Sequence, residues 1–541
     1  MPATNVATAS DRIAASGVSR RSFVGLAGAA AAAGLLARLG ISPLDATFAG
    51  AAESGGTFTY AIAGDPGSNV NPVTTNDRYG LMTLKLLFNQ LFTYRADGIT
   101  WYLADGYDES DDHKEFTFHL HEGVTWSDGE PFTADDVVFT YEAIESTETA
   151  NQYSQLVYDQ GKVEVKKVDD LTVTFTFPIA IANAAEMISQ GFIMPKHLYE
   201  GVTDWEHNDV NNTPVGTGPY QLMEYQPGQY LRFEANKDYF LGAPHVDQVV
   251  FQIVTNENTG MQAIQAGEVN AWIGTPAEVQ QMNIQGNGLT VTPYSEGRVA
   301  YLAINCNRVT DENVRKAILY SFDKPAICNA ALLDPQYYDV EYTFLPTTSE
   351  FYDADAVEKY DRDVEKAKQL LADAGQANPT FTIAYDSGNT LTETDALMMK
   401  EQAAEAGITL NIQAVDPTAL SNTMLDDGGD YDMYFGGYIM GIDPTTFAPL
   451  FESDANWNYM HWGDAYPEID ELFAQGASEL DPDKRKKIFS DLQAAVQNTG
   501  AFYPLYSNKR LLVTTSNVTN IQEAGLVPVY TFEDLSKLDM Q

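Results

Sequence analysis

Positive charge is what this 541-residue chain has least of: 31 Lys and Arg stand against 76 Asp and Glu, leaving a formal charge of −45. A field of that sign repels nucleic acid and anionic lipid, so neither is expected as a partner. The acids are spread along the chain, at 108–112, 353–363 and 426–432 among other places, as on a surface adapted to high salt. The last of these runs, DDGGDYD, lacks the ligand spacing and terminal Glu of an EF-hand loop and is expected to be a solvated face. Cysteine is nearly absent. Cys306 and Cys328 are the only two, enough for one bridge at most and for no disulfide framework. The usual signatures of catalysis are missing as well: there is no G-x-S-x-G elbow, no Walker A sequence, no C-x-x-C and no H-E-x-x-H. Paired carboxylates are too abundant here to single out a glycosidase-like pair. His119 and His121 find no third ligand at a telling spacing, so no metal site and no cofactor is expected.

Long apolar runs are also scarce. The stretch SRRSFVGLAGAAAAAGLLARLG (19–40) sets Arg20 and Arg21 before an apolar run at 23–37, which is shorter than the ~20 residues a helix needs to span a bilayer. It resembles a twin-arginine export signal, with Ala49 and Ala51 as the small-x-small pattern for cleavage. Residues 1–51 are therefore expected to be a signal peptide and the remainder to be extracellular. The first cysteine is Cys306, so no lipid-accepting cysteine follows the signal, and how the protein is held at the surface is left open.

What is present is ample material for a folded core: 44% hydrophobic and 11% aromatic residues, in a chain long enough for two or three domains. In FTFHLHEGVTWSDGEPFTADDVVFTYEAI (116–144), Phe116, Phe118 and Leu120 alternate as in a half-buried strand. Turn residues then bracket a short strand expected around 124–126. Thr133 is placed to cap a helix by accepting from the Asp136 N–H, with Val137, Val138, Tyr141 and Ile144 on its apolar face. This unit is scaffolding. GTGPY (216–220) follows no dinucleotide pattern and turns the chain into a strand at 220–225. The stretch 466–496 predicts two helices split at LDPDK.

Taken in order, HLHEGVTWSDGEPFTADDVVFTYEAI, VDDLTVTFTF, VGTGPYQLMEYQPGQYLRFEANKDYF, NENTGMQAIQAGEVNAWIGTPAEV and YLAINCNRVTDENVRKAILYSFDKPAI form a series of long motifs. The series resembles the extracellular solute-binding proteins of the dipeptide/oligopeptide/nickel class, family 5, that serve ABC importers. The resemblance runs from about Gly56 to the C-terminus. It implies an α/β, two-lobed, periplasmic-binding-protein-like type II fold with an extra subdomain in the first lobe. Lobe I would hold 56–297 and the return at 510–541, with the insert at about 95–210, and lobe II would hold 298–509. The chain would cross between lobes near 298–305 and 502–512, and the lobes would close over a solute. The protein would be a monomer without catalytic residues that delivers its solute to ABC permease subunits in the membrane. A secreted hydrolase and a passive surface or sensory protein are the competing readings.

The ligand is where the resemblance is least generous. Peptide-binding relatives carry a pattern like G-W-x-x-D-x-x-D-P, whose first Asp grips the α-amino group. Here GGYIMGIDPTTFAPLF (436–451) puts Tyr438 in place of the Trp and Gly441 at the anchoring Asp, one residue short before Asp443 and Pro444. Asp443 either takes over the anchoring role or merely turns the chain before Pro444. Trp457, Tyr459 and Trp462 are either a stacking wall or core. Asn69 and Trp272 are cleft candidates by family position alone. A peptide is the expected ligand, with an oligosaccharide or a nickel chelate as alternatives; nickel would need a chelator because no His cluster is present.

Overall fold

Two long antiparallel strands, Leu289–Ile304 and Phe502–Thr515, form the middle of the molecule in the computed structural model. The structure describes residues 55–541 except 68–69, 96–97, 151, 159, 426–428 and 440. The expected signal at 1–51, the candidate Asn69 and part of the 426–432 acidic run lie outside the described residues.

The two long strands belong to one eleven-stranded sheet. On one side of them the order runs through Ala271–Gly274, Thr57–Ile62, Gln248–Ile253, Tyr230–Ala235 and Tyr220–Gln226. On the other it runs through Met433–Tyr438, Thr380–Asp386 and Thr409–Val415, while Tyr338–Val340 pairs with residues 506–508 in the middle of Phe502–Thr515. Thr57–Ile62 pairs in parallel with both its neighbours, and the adjacent Val249, Val250 and Phe251 are all buried, as expected of strands covered on both faces.

The hydrophobic cores divide along the same line. One large cluster draws on residues 58–294 and 512–538, with a smaller one of residues 61–513 against Trp272. Two others draw on residues 299–506. The long strands thus contribute to different cores at their two ends. A separate four-stranded sheet, in the order Ala104–Glu109, Glu115–Leu120, Thr172–Thr176, Glu164–Asp169, lies within the first half.

Phe116, Phe118 and Leu120 are the buried positions of Glu115–Leu120. The short strand expected at 124–126 is instead a single bridge between Thr125 and Pro131, because the turn at Gly129 closes too tightly to extend the ladder. Thr133 caps the helix Ala134–Glu145 as expected, in a capping box with Asp136: its hydroxyl accepts from the Asp136 N–H and also from the Asp135 N–H at 3.3 Å, and the Asp136 carboxylate accepts from the Thr133 N–H at 2.9 Å. The pair expected near the C-terminal end is Pro467–Ser478 and Pro482–Asn498, the second capped by Asp481. In GTGPY the glycines serve close approach: a Cβ at Gly216 would overlap the Leu87 carbonyl oxygen, and Gly218 N–H donates to that same oxygen at 2.9 Å. No helix among the described residues is long and apolar enough to cross a membrane. Both cysteines are free thiols.

Candidate ligand cleft

A cavity of about 300 Å³ lies where elements of the first half meet elements of the second. Tyr94, Tyr107 and Phe116 come from the strands Phe92–Arg95, Ala104–Glu109 and Glu115–Leu120, and Glu186 from the helix Ala184–Ser189. Facing them are Glu350 and Phe351 from a loop, Asp443 ahead of the short helix Pro444–Phe447, and Arg485 from the helix Pro482–Asn498. The volume is at the lower end for small-molecule sites, and the lining combines apolar walls with a few convergent charges as such sites do.

The charges are tightly organised. Asp443, 5% exposed, caps Pro444–Phe447 by accepting from the Thr445 N–H at 2.9 Å and hydroxyl at 2.6 Å. Its other oxygen lies 2.6 Å from Arg485 Nη2, a charge contact off the hydrogen-bond direction, while Arg485 Nε donates to the Gly476 carbonyl at 2.8 Å. Glu186, 6% exposed, reaches across from the first half and accepts from the backbone N–H groups of Ile442 at 2.7 Å and Asp443 at 3.0 Å. Asn183 Nδ2 extends the clasp by donating to the Thr445 hydroxyl at 3.3 Å. Burial pushes the Glu186 carboxyl up to about 7, and the neighbouring Asp443 charge adds to this against the two backbone donors. Glu350 is exposed at the mouth, and Glu109 bonds His113 at 2.5 Å. Carboxylates therefore outnumber cations around the cavity, which suits a cationic group flanked by aromatic surface.

Of the residues singled out from the sequence, Asp443 lines this cavity, and it also performs the turning role before Pro444. Gly441, which the resemblance would set at the anchoring Asp position, lies against Glu186: a Cβ there would sit 2.7 Å from Glu186 Oε1. Tyr438 is buried among Tyr301, Phe447 and Phe502, with its hydroxyl donating to the Phe344 carbonyl at 2.6 Å. Trp272 is buried against Gly260, Gly274 and Val279 in its own core cluster. Tyr459 is half-buried on the core and its carbonyl accepts from the Tyr434 hydroxyl; Trp462 is buried and donates to the Phe451 carbonyl at 3.2 Å. Trp457 is 47% exposed. Trp457, Tyr459 and Trp462 thus do not share one wall. His119 and His121 pair with Asp108 and Asp105, and no cluster of three metal-ligating side chains occurs among the described residues.

Glu186, Arg485, Glu350 and the aromatic wall were not singled out from the sequence. A signal existed for Glu186, the lone carboxylate in the apolar stretch IANAAEMIS.

An α/β chain with one large sheet, cores divided at two crossing strands and a charged cavity between the halves has the architecture of a two-lobed solute-binding protein. Residues 99–459 match the family described as bacterial extracellular solute-binding proteins, family 5 (middle), and the chain belongs to that family. Its fold is that of the ABC transporter substrate-binding protein CtaP from Listeria monocytogenes, with a TM-score of 0.86, 34% identity, and coverage of 90% of this chain and 100% of that one. It is 27% identical to the oligopeptide-binding protein AppA of Bacillus subtilis (strain 168), over 90% of this chain and 92% of that protein. It is 28% identical to the dipeptide-binding protein of Escherichia coli (strain K12), over 85% and 91%. It is a type II solute-binding component of an ABC importer, from a family of transport proteins and not of enzymes.

Proposed function

We propose that this protein captures a peptide-like solute outside the cell and hands it to the permease of its importer. The lobes in this reading are 56–297 with 510–541, carrying the insert at 95–210, and 298–509. The carrying observation is the cavity lined by the carboxylates of Glu186, Glu350 and Asp443 together with the rings of Tyr94, Tyr107 and Phe351. A solute with an ammonium group beside an apolar or aromatic side chain satisfies both linings, and a neutral saccharide satisfies only one. The named ligands of two relatives, an oligopeptide and a dipeptide, support the same reading. Mass spectrometry of the co-purifying solute, followed by titration with di- to pentapeptides in molar salt, tests it. Binding of an oligosaccharide or a metal chelate in place of every peptide would sink the peptide reading.

Export by the twin-arginine route and life in strong brine belong to the same proposal. Arg20 and Arg21 ahead of the apolar run support the first, and the charge of −45 supports the second. Changing Arg20 and Arg21 to Lys is expected to leave folded precursor inside the cell; normal secretion on a blot of medium and cell fractions would refute that route.

A further inference from the structure

The ladder between the two long strands breaks at one place. Ser295 pairs with Lys509 and the next pair is Val299 with Ser507, so Glu296, Gly297 and Arg298 stand against Asn508 alone. Gly297 takes φ +64°, which lets the strand bulge there, and bulges of this kind re-aim side chains. The two charges raised by the bulge have opposite fates. Glu296 is buried and held by Arg78 at 2.5 Å, with Arg510 at 3.7 Å. Arg298, half-buried, has no ion pair and no side-chain hydrogen bond among the described residues. Every other described arginine has one or the other. Arg315, which also has no acid, spends its donors on the Thr499, Val309 and Thr310 carbonyls and the Tyr466 hydroxyl, so Arg298 alone among the described arginines has neither an ion pair nor a side-chain hydrogen bond.

The Arg298 guanidinium packs beside the neighbouring strand. It lies against the exposed backbone of Gly437 on the neighbouring strand, and a Cβ at that position would overlap it. Gly437 has no positive φ, so a side chain there is excluded by the arginine and not by the backbone. Gly437 stands five residues before Ile442, whose N–H is held by Glu186 at the cavity. At 3.3–3.6 Å per residue their Cα atoms are at most ~18 Å apart.

We propose that Arg298 is the receptor for a carboxylate of the solute, presented by the bulge at the point where the chain crosses between the two halves. A planar guanidinium with its donors unspent matches a carboxylate in two-point fashion, and such contacts persist at high salt better than long-range attraction does. The inference rests on the reading above, that the solute occupies the region between the halves. With the ammonium end at Glu186, Glu350 and Asp443, it restricts a solute gripped at both ends to a zwitterion of roughly five residues or fewer.

The test is calorimetry in molar KCl with one tripeptide carrying either a free or an amidated C-terminus, on the wild type, Arg298→Gln and Gly437→Ala. The wild type is expected to lose at least 10-fold in affinity on amidation. Arg298→Gln should bind both forms alike at the level of the amide, and Gly437→Ala, which displaces the guanidinium without a backbone clash, should lose most of the discrimination. Undiminished discrimination in Arg298→Gln would overturn the assignment while leaving peptide binding intact. If the wild type binds no peptide, the peptide reading fails and the co-purifying solute becomes the probe. A solute without an acidic group, or one retained equally by Arg298→Gln, then overturns the role of Arg298, and an acidic solute released by that variant upholds it.

Discussion

Two buried charge networks, one beside the core of residues 58–294 and 512–538 and one beside the cores of residues 299–506, have met the same burial with opposite results. In the first network Glu533 receives Lys85 at 2.8 Å, Arg95 at 2.7 and 3.2 Å, the Thr93 hydroxyl at 2.9 Å and the Tyr102 hydroxyl at 2.9 Å. Burial alone would push its carboxyl up, but the Lys85 and Arg95 charges outweigh that and hold it down at about 2. In the second network Glu341 and Asp395, both fully buried, have no cation within ion-pair distance among the described residues. Glu341 is bonded by Ser507 and Thr347, and Asp395 by the Tyr506 hydroxyl with its other oxygen unpartnered. Burial pushes both carboxyls up to about 7 and pushes the nearby Lys324 amine down to about 7. Lys324 makes do with the Glu341 carbonyl at 2.7 Å and the faces of Tyr342 and Tyr503. Burial is thus not decisive by itself. A cation in contact decides which protonation state the fold stabilises.

The sharpest way to break this contrast is to remove Glu533. Glu533→Gln leaves Lys85 and Arg95 without their anion and is expected to cost about 3–5 kcal/mol in urea unfolding. A loss under about 1 kcal/mol would put Glu533 on a par with a surface pair. In the second network the corresponding change should have the opposite sign. Asp395→Asn keeps an acceptor for Tyr506 and removes the ionisation that burial opposes, so it should gain about 1–3 kcal/mol at pH 8 and little at pH 4.5.

The pH profiles sharpen the comparison. Glu533 has a depressed carboxyl, so its contribution is present above about 4.5 and lost as pH falls through about 2. Glu341 and Asp395 have raised carboxyls, so theirs is present below about 4 and lost as pH rises through about 7. Lys324 has a lowered amine, so its contribution is present above about 10.5 and lost as pH falls through about 7. Melting temperature should therefore fall from pH 5 to pH 7, and Lys324→Met should flatten the partial recovery above pH 7. A profile that climbs from pH 5 to pH 7 would mean that the second network holds a counter-charge after all. The smallest effect belongs to the surface common to both halves. Lowering KCl from molar to about 0.01 M lengthens the Debye length from ~3 to ~30 Å, and melting temperature should fall as the acids repel; a flat response would detach the acids from salt adaptation.

How much of this could be read from the chain differs between scaffold and site. The strand at 116–120, the capped helix after Thr133 and the helix pair divided at Asp481 were legible because alternation, caps and periodicity act within a few residues. The family motifs then supplied the fold. The clasp of Glu186 on Ile442 and Asp443 was not legible, since its partners lie 256 and 257 positions apart and meet only after both halves are folded. Tyr438 and Trp272 illustrate the opposite difficulty. An aromatic ring suits a ligand wall and a core equally well, and only the glycines and rings packed on these two assign them to cores. Arg298 escaped notice because an unpaired arginine can be recognised only when every other arginine has been given its partner.

The central claim is that a solute joins the two halves, and thermal unfolding with and without peptide in molar KCl tests it directly. A bound tripeptide at 100 times its Kd should stabilise the protein by about 2.7 kcal/mol and merge any separate unfolding of the halves into one transition. Unchanged unfolding at saturating concentrations of every di- to pentapeptide tried, together with an unchanged profile for the co-purified solute, would contradict it.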